Sequence, residues 1–182
     1  MNEEEEILKQ VQAALSELAK NNDSWKLIPE VASNLCCAKK DAKTPLDVAA
    51  VPGRIRIAFK KLVYLPPAFG ASGHIARALI QARKTDGSVR AALNVRFDQE
   101  FLDKAEKAGL SVSSYDRRIE PREVKEALTG SMEWGTQHAI DSNKGKVPDC
   151  FYHLGDWGKE PTIIIFGENP GQVVEKALKL IQ

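Results

Sequence analysis

The sequence predicts one α/β domain in which helices cover a mixed central sheet, and three observations carry the prediction. Segments with helical hydrophobic spacing interleave with short strand-like runs along the whole chain, the order expected when helices pack on a sheet. A length of 182 residues suits a single core that buries roughly two-thirds of the unfolded surface, and no linker, repeat or low-complexity tract divides it. The two apolar runs between Arg54 and Leu65 read as adjacent antiparallel strands, which makes the sheet mixed rather than wholly parallel.

From Glu3 to Lys20, an N-terminal amphipathic helix places Ile7, Leu8, Val11, Ala14, Leu15 and Leu18 on one face. The acids Glu3 to Glu6 stand at its positive dipole end, where they stabilise the helix and keep it solvated. A turn through Leu27 to Asn34 leads into a short strand, Leu35-Cys36-Cys37-Ala38. Thr44-Pro45-Leu46-Asp47 combines an N-cap, a proline at the first helical position and an acid at the capping-box position, so a short helix is expected before Val51-Pro52-Gly53-Arg54 breaks it. Ile55, Ile57 and Phe59 alternate with Arg54, Arg56 and Ala58 as on a strand with one covered face, and Leu62 to Leu65 forms the next strand.

A helix follows from Ser72, its N-cap candidate, to about Arg83, with Ile75, Ala76, Leu79 and Ile80 facing a core. Ala91 to Asp98 alternates as a strand, and a helix carrying Phe101, Leu102, Ala105 and Ala108 stops at Gly109. Leu110 to Tyr115 is a further strand, Glu120-Pro121 opens a helix through Val124 and Leu128, and Trp134 to Ile140 is helical. Thr162 to Phe166 has the uniform apolarity of a buried strand, and Gly167-Glu168-Asn169-Pro170 caps a last helix with Val173, Val174, Ala177, Leu178 and Ile181 inside.

Composition excludes several functions. With 26 basic against 25 acidic side chains the net charge is +1, so a general attraction to nucleic acid is absent and any cationic site must come from local clustering. No segment approaches the roughly 20 apolar residues that span a bilayer. Three cysteines, two of them adjacent, match neither a disulfide framework nor a zinc pattern, and reduced buried thiols in a cytoplasmic protein are expected. A GxSxG elbow and a P-loop are missing, and His74, His138 and His153 lack close metal-ligand spacing, with His138 read as a surface residue.

What remains points to an anion. In Phe69-Gly70-Ala71-Ser72-Gly73-His74, small residues allow close backbone approach, and the amides of a helix start attract phosphate beside a histidine. The alternative is an ordinary capped helix. Asn94, Arg96 and Asp98 share one face of their strand, as at a covered polar site, although Asp98 also fits as a helix cap. Asn34 and Glu30 fit equally as site residues or as loop hydrogen-bonders. Arg54, His74, Arg96, Arg117, Arg118 and Lys159 all lie at strand ends or glycine-rich loops, where α/β folds place ligands and where arginine forks suit phosphate or diphosphate.

Taken in order, the motifs resemble one family. Ile28-Pro29-Glu30-Val31 with Ser33-Asn34, Val51-Pro52-Gly53-Arg54-Ile55, Phe69-Gly70-Ala71-Ser72 with His74 and Ala76-Arg77, and Arg90-Ala91-Ala92 with Asn94 and Arg96 are similar to archaeal-type thiamine-phosphate synthases. The likeness continues through Ser114-Tyr115-Asp116-Arg117-Arg118 with Glu120-Pro121, Trp134-Gly135, Pro148-Asp149, Gly155-Asp156 and Gly158-Lys159-Glu160-Pro161. It spans about Leu27 to the C-terminus, and its force lies in the register of many motifs that are individually weak.

The resemblance implies a three-layer α/β/α sandwich of the aldolase type, with residues 1–182 as one synthase domain. It also implies a reaction: a pyrimidine-methyl diphosphate joined to hydroxyethylthiazole phosphate, with release of diphosphate. The family's functional arginine and histidine correspond to Arg54 and His74. On chemical grounds Arg54, with Arg96 or Lys159, neutralises the departing diphosphate, while His74 and the helix amides hold or protonate a phosphoryl oxygen. Arg117 and Arg118 grip the thiazole phosphate, and Asn94 with Asp98 orients the pyrimidine. Asn34, Gly70, Ala71, Ser72, Asp116 and Asp156 complete the expected substrate-binding set, with Mg²⁺ arriving on the diphosphate rather than on a protein site. The expected partners are these small molecules, a second copy of the chain in a homodimer, and a hydroxymethylpyrimidine-phosphate kinase domain if the chain belongs to a longer protein. Similar domains behind helix-turn-helix segments sense thiamine phosphates; such sensors are expected to lack the arginine and histidine pair, and this chain has both.

Overall fold

The computed structural model describes residues 2–127 and 129–182. Helix α1 (Glu3–Lys20) begins with a reciprocal box in which the Glu5 amide donates to Asn2 Oδ1 at 2.9 Å and the Asn2 amide to Glu5 Oε2 at 3.3 Å. Its acids do more than solvate the helix. Glu3 pairs with Arg90 at 2.9 Å and Glu4 with Lys39, fastening the helix to residues just after the first strand and just before Ala91.

The central sheet has seven strands: β1 (Leu35–Ala38), β2 (Val48–Ala50), β5 (Ala68–Phe69), β6 (Ala91–Arg96), β7 (Val112–Ser114), β8 (Cys150–His153) and β9 (Thr162–Gly167). Their order is β5-β2-β1-β6-β9-β8-β7. Every pairing is antiparallel except β7 with β8, so the sheet is mixed. The pleat sends alternate residues to two cores. Leu35, Cys37, Leu93 and Ile165 enter a layer shared with α1, α3 (Gln99–Lys107) and α6 (Pro170–Lys179). Cys36, Ala92, Ile164 and Phe166 face the other layer, built by α2 (His74–Thr85) and α5 (Ser131–Ser142). Adjacent Cys36 and Cys37 therefore point to opposite cores, and burial raises the pKa of all three free thiols. The result is the three-layer α/β/α sandwich. None of the helices in the described residues is long and apolar enough to cross a membrane.

Four expectations need correction. Thr44-Pro45-Leu46-Asp47 does form the capping box, but only a three-residue 3-10 turn follows, because Val48–Ala50 pairs with Cys36–Ala38 as a strand; sheet pairing overrides the helix-start signal. The runs after Arg54 are antiparallel, as β3 (Arg56–Ala58) and β4 (Lys61–Val63), yet they form a separate hairpin outside the sheet. Ile57 and Val63, on opposite faces of the hairpin, are exposed and Phe59 wholly so, while Ile55 at its base is buried and Leu62 packs half-buried against the core. Ser72 does not cap α2: the cap position is Gly73, already in right-handed helical conformation, and its carbonyl accepts from the Arg77 guanidinium at 2.9 Å. The helix after Pro121 is the five-residue α4 (Arg122–Glu126), and Leu128 lies outside the described residues. Asp98, by contrast, does cap α3, accepting from the Glu100 amide at 3.0 Å.

Candidate active site

The start of β1, the C-terminal parts of β6 and β8, and the start of β9 lie at one end of the sheet, and a pocket of about 240 Å³ opens there on the α2–α5 side. The sheet supplies Asn94, His153, Thr162 and Ile164. The loop before β1 supplies Val31, Ala32 and Asn34, and the turn after β2 supplies Arg54. Ser72, His74 and Ile75 come from the start of α2, Met132 from α5 and Arg117 from the turn after β7. The β8–β9 loop closes it with Gly158, Lys159 and Glu160.

Arg54 is held by its backbone. Val51-Pro52-Gly53-Arg54 is a tight turn closed by the Arg54 amide on the Val51 carbonyl at 3.2 Å. Gly53 and Arg54 both have left-handed φ, +71° and +70°, and for an arginine that conformation is a strain that the surroundings must enforce. Two devices enforce it. Ser33 and Ile55 exchange backbone hydrogen bonds at 3.1 and 2.8 Å, and the Asn34 side chain pairs with both polar groups of Val51, donating to its carbonyl at 2.9 Å and accepting from its amide at 2.8 Å. The Arg54 guanidinium donates to the Val31 carbonyl. Among the described residues neither Arg54 nor Lys159 forms an ion pair, so both charges face the pocket unneutralised.

Arg117 is the buried cation. A 3-10 turn capped by Asp116 directs it inward, where Glu120 stands 3.7 Å behind it; both side chains are nearly inaccessible. His153 is also buried. Its Nδ1 accepts from the Gly155 amide at 3.0 Å, which leaves Nε2 to carry the proton and donate it to Thr162 Oγ1 at 3.1 Å. Burial, then the charges of Arg117 and His74, lower the His153 pKa to about 4. His74 is lowered to about 4 as well, by desolvation first and then by Arg117, Arg54, Lys159 and Arg77. Its residue remains solvent-accessible, so water screens part of that repulsion, and the direction is what matters: the imidazole is neutral at pH 7.

The structure brings together Arg54, His74, Ser72, Asn34, Asn94, Arg117 and Lys159. It does not bring Arg96, Asp98, Asp116, Arg118 or Asp156 to the same cavity. Arg96 turns to Asp98 at 3.2 Å and over the Phe101 ring, on the opposite layer. Arg118 grips both oxygens of Asp116, lowering that carboxyl to about 2, and Asp156 pairs with Lys125 at 2.7 Å. Gly70 serves the sheet, donating to the Val48 carbonyl at 3.0 Å, and Ala71 packs against the α2–α5 core. Asn34 and Asn94 line the pocket but direct their amides to backbone: Asn94 accepts from the Asn34 amide at 2.7 Å and donates to the Ala32 carbonyl at 3.1 Å. His153 and Thr162 were not singled out from sequence. The available signal was a strand ending at the glycine-rich loop, the same one that pointed to Lys159. His138 stacks on Trp134, with ring centroids 4.0 Å apart.

No group of three or more His, Cys, Asp and Glu side chains among the described residues is placed to hold a metal ion. The cavity is a cationic cleft at the end of a three-layer sandwich of aldolase-type fold. Comparison with known structures agrees on the fold: L-fuculose-1-phosphate aldolase from Thermus thermophilus superposes with a TM-score of 0.53 at 11% identity, over 96% of this chain and 90% of the aldolase. The family is narrower. Residues 10–179 match the model for thiamine-phosphate synthase ThiN, and the chain belongs to that family. It is 39% identical to thiamine-phosphate synthase ThiN of Methanothermobacter thermautotrophicus over 96% of this chain and 92% of the relative. A crystal structure of the C-terminal domain of a phosphomethylpyrimidine kinase matches with a TM-score of 0.91 and 36% identity, covering 98% of this chain and all of that one.

Proposed function

We propose that this pocket joins the pyrimidine-methyl diphosphate to hydroxyethylthiazole phosphate, giving thiamine phosphate and diphosphate. The observation that carries the reading is the convergence of Arg54, Arg117 and Lys159 with His74 on one cavity. Among the described residues that line it, the one carboxylate, Glu160, is already engaged by backbone amides. Such a cavity favours a ligand with several negative charges.

In the reaction the thiazole nitrogen lone pair forms a bond to the pyrimidine's methylene carbon. The carbon–oxygen bond to diphosphate breaks, and the electron pair leaves with the diphosphate. Positive charge grows on the carbon and negative charge on the leaving group, so fixed cations around the diphosphate lower the barrier. Arg54 and Lys159, which form no ion pair among the described residues, take that role rather than Arg96. Arg117, which lines the cavity with Glu120 behind it, holds the second phosphate rather than Arg118, which lies outside the cavity on Asp116. Neutral His74 donates a hydrogen bond to a phosphoryl oxygen, and the arriving charge raises its pKa. Asn34 and Asn94 shape the cavity rather than reading the pyrimidine.

Mg²⁺ enters as the counter-ion of the diphosphate substrate. The whole chain, residues 1–182, acts as one synthase domain, in the cytoplasm where its buried thiols stay reduced, and as a homodimer. In proteins that carry a pyrimidine kinase, it follows that kinase. The test is to incubate the protein with both phosphorylated substrates and Mg²⁺ and to follow thiamine phosphate and diphosphate. Equal formation of both supports the reading, and tight binding of thiamine phosphate without turnover overturns it.

A further inference from the structure

Among the described residues lining the cavity, Glu160 is the one acid, and both of its oxygens are taken by backbone amides. Oε1 accepts from the Glu30 amide and Oε2 from the Val31 amide, each at 2.9 Å, across 130 and 129 residues of chain. The same peptide segment carries the next link, since the Val31 carbonyl receives the Arg54 guanidinium. Ala32, which follows, has φ +68° and closes its own turn through its amide on the Pro29 carbonyl at 2.9 Å. Nothing in regular secondary structure fixes residues 29–32. The carboxylate from the β8–β9 loop therefore sets where the Val31 carbonyl points, and the carbonyl sets where Arg54 points.

From this chain of contacts we infer that Glu160 is a positioning residue for Arg54, acting through the 30–31 peptide segment and not by touching substrate. The inference rests on the diphosphate reading of the pocket. Two features make Glu160 suited to the task. A carboxylate offers a separate acceptor oxygen to each of the two amides, whereas a neutral amide side chain has an oxygen at one of those positions and an NH2 donor at the other. The loop that presents it is fastened at its other end as well, by paired backbone bonds between Asp156 and Lys159 at 3.2 and 2.8 Å and by Asp156 on Lys125. The Glu30–Val31 segment is thereby tied to a loop with its own anchors.

The test is a double-variant cycle read by calorimetric titration with inorganic diphosphate. Glu160→Gln keeps the shape and loses one of the two charge-assisted bonds, so diphosphate affinity should fall by about tenfold in the otherwise native protein. In an Arg54→Ala background the same change should cost less than about twofold, because the group it positions is gone. A loss of equal size in both backgrounds would make Glu160 a general structural residue and overturn the inference, as would no loss in either. Failure of the native protein to bind diphosphate would instead overturn the reading of the pocket, and the inference with it. If Glu160→Gln does not fold, Glu160→Asp, which withdraws the carboxylate by one methylene, takes its place in the cycle with the same expected pattern.

Discussion

Replacing Asn34 by Ala separates a residue that builds the site from one that reads the substrate. The side chain is 4% exposed, and it completes a backbone-like pair with Val51, which is fully buried. Truncation removes both bonds. The Val51 carbonyl keeps the Arg54 amide at 3.2 Å, so its loss is about 1 kcal/mol, whereas the Val51 amide is orphaned at about 1–3 kcal/mol. The sum is about 2–4 kcal/mol, and at about 2–4 °C per kcal/mol for a chain of this size the melting temperature should fall by about 5–15 °C. Circular dichroism melts, with urea titration as a second probe, would measure it. A variant that melts within about 2 °C of the native protein while losing substrate affinity would refute the reasoning and return Asn34 to direct substrate contact.

Two further outcomes follow from packing and titration. A Cβ on Gly135 would lie 2.4 Å from Tyr115 Cζ and 2.6 Å from its hydroxyl, and that ring is wedged among Trp134, Phe151 and His153. Gly135→Ala should therefore destabilise by about 1–3 kcal/mol in urea unfolding and, by shifting Tyr115, weaken the phosphate site proposed at Arg117 two residues on. His153 is neutral when folded down to about pH 4, while the unfolded chain protonates below about 6.5. Between those values the unfolded state binds the extra proton, so this stability is present above pH 6.5 and is lost as pH falls, by on the order of 3 kcal/mol in total. Urea unfolding between pH 7.5 and 4.5 should show a shallower acid decline for His153→Asn than for the native protein; parallel declines would contradict the assignment.

Much of the fold was legible because its signals are periodic. α1, β6, β9 and α6 each carry a hydrophobic pattern longer than local noise, and the structure places them where that pattern requires. The segment from Thr44 to Val63 was less legible. A sound capping box sits beside residues whose partner strand is elsewhere in the chain, and an alternating apolar strand turns out to face solvent. Neither outcome is encoded within a few residues. At the site, topology delivered Arg54, His74, Arg117 and Lys159 to one end of the sheet, as their positions at strand ends and loops suggested. The cations that missed it, Arg96 and Arg118, each have an aspartate two residues away in sequence and close on it. His153 stayed hidden because a histidine ending an apolar strand looks the same whether it packs or lines a cavity.

Arg54→Gly offers the most direct test of the proposed diphosphate site. Glycine relieves about 1 kcal/mol of left-handed strain and forfeits a hydrogen bond to Val31 of about 1–2 kcal/mol, so folding should be almost unchanged, with a melting temperature within about 3 °C. Release of thiamine phosphate and diphosphate, measured beside the native protein with both substrates and Mg²⁺, should fall by at least about a hundredfold, as when one stabiliser of developing charge is lost. A folded Arg54→Gly protein that releases both products at the native rate would contradict the account.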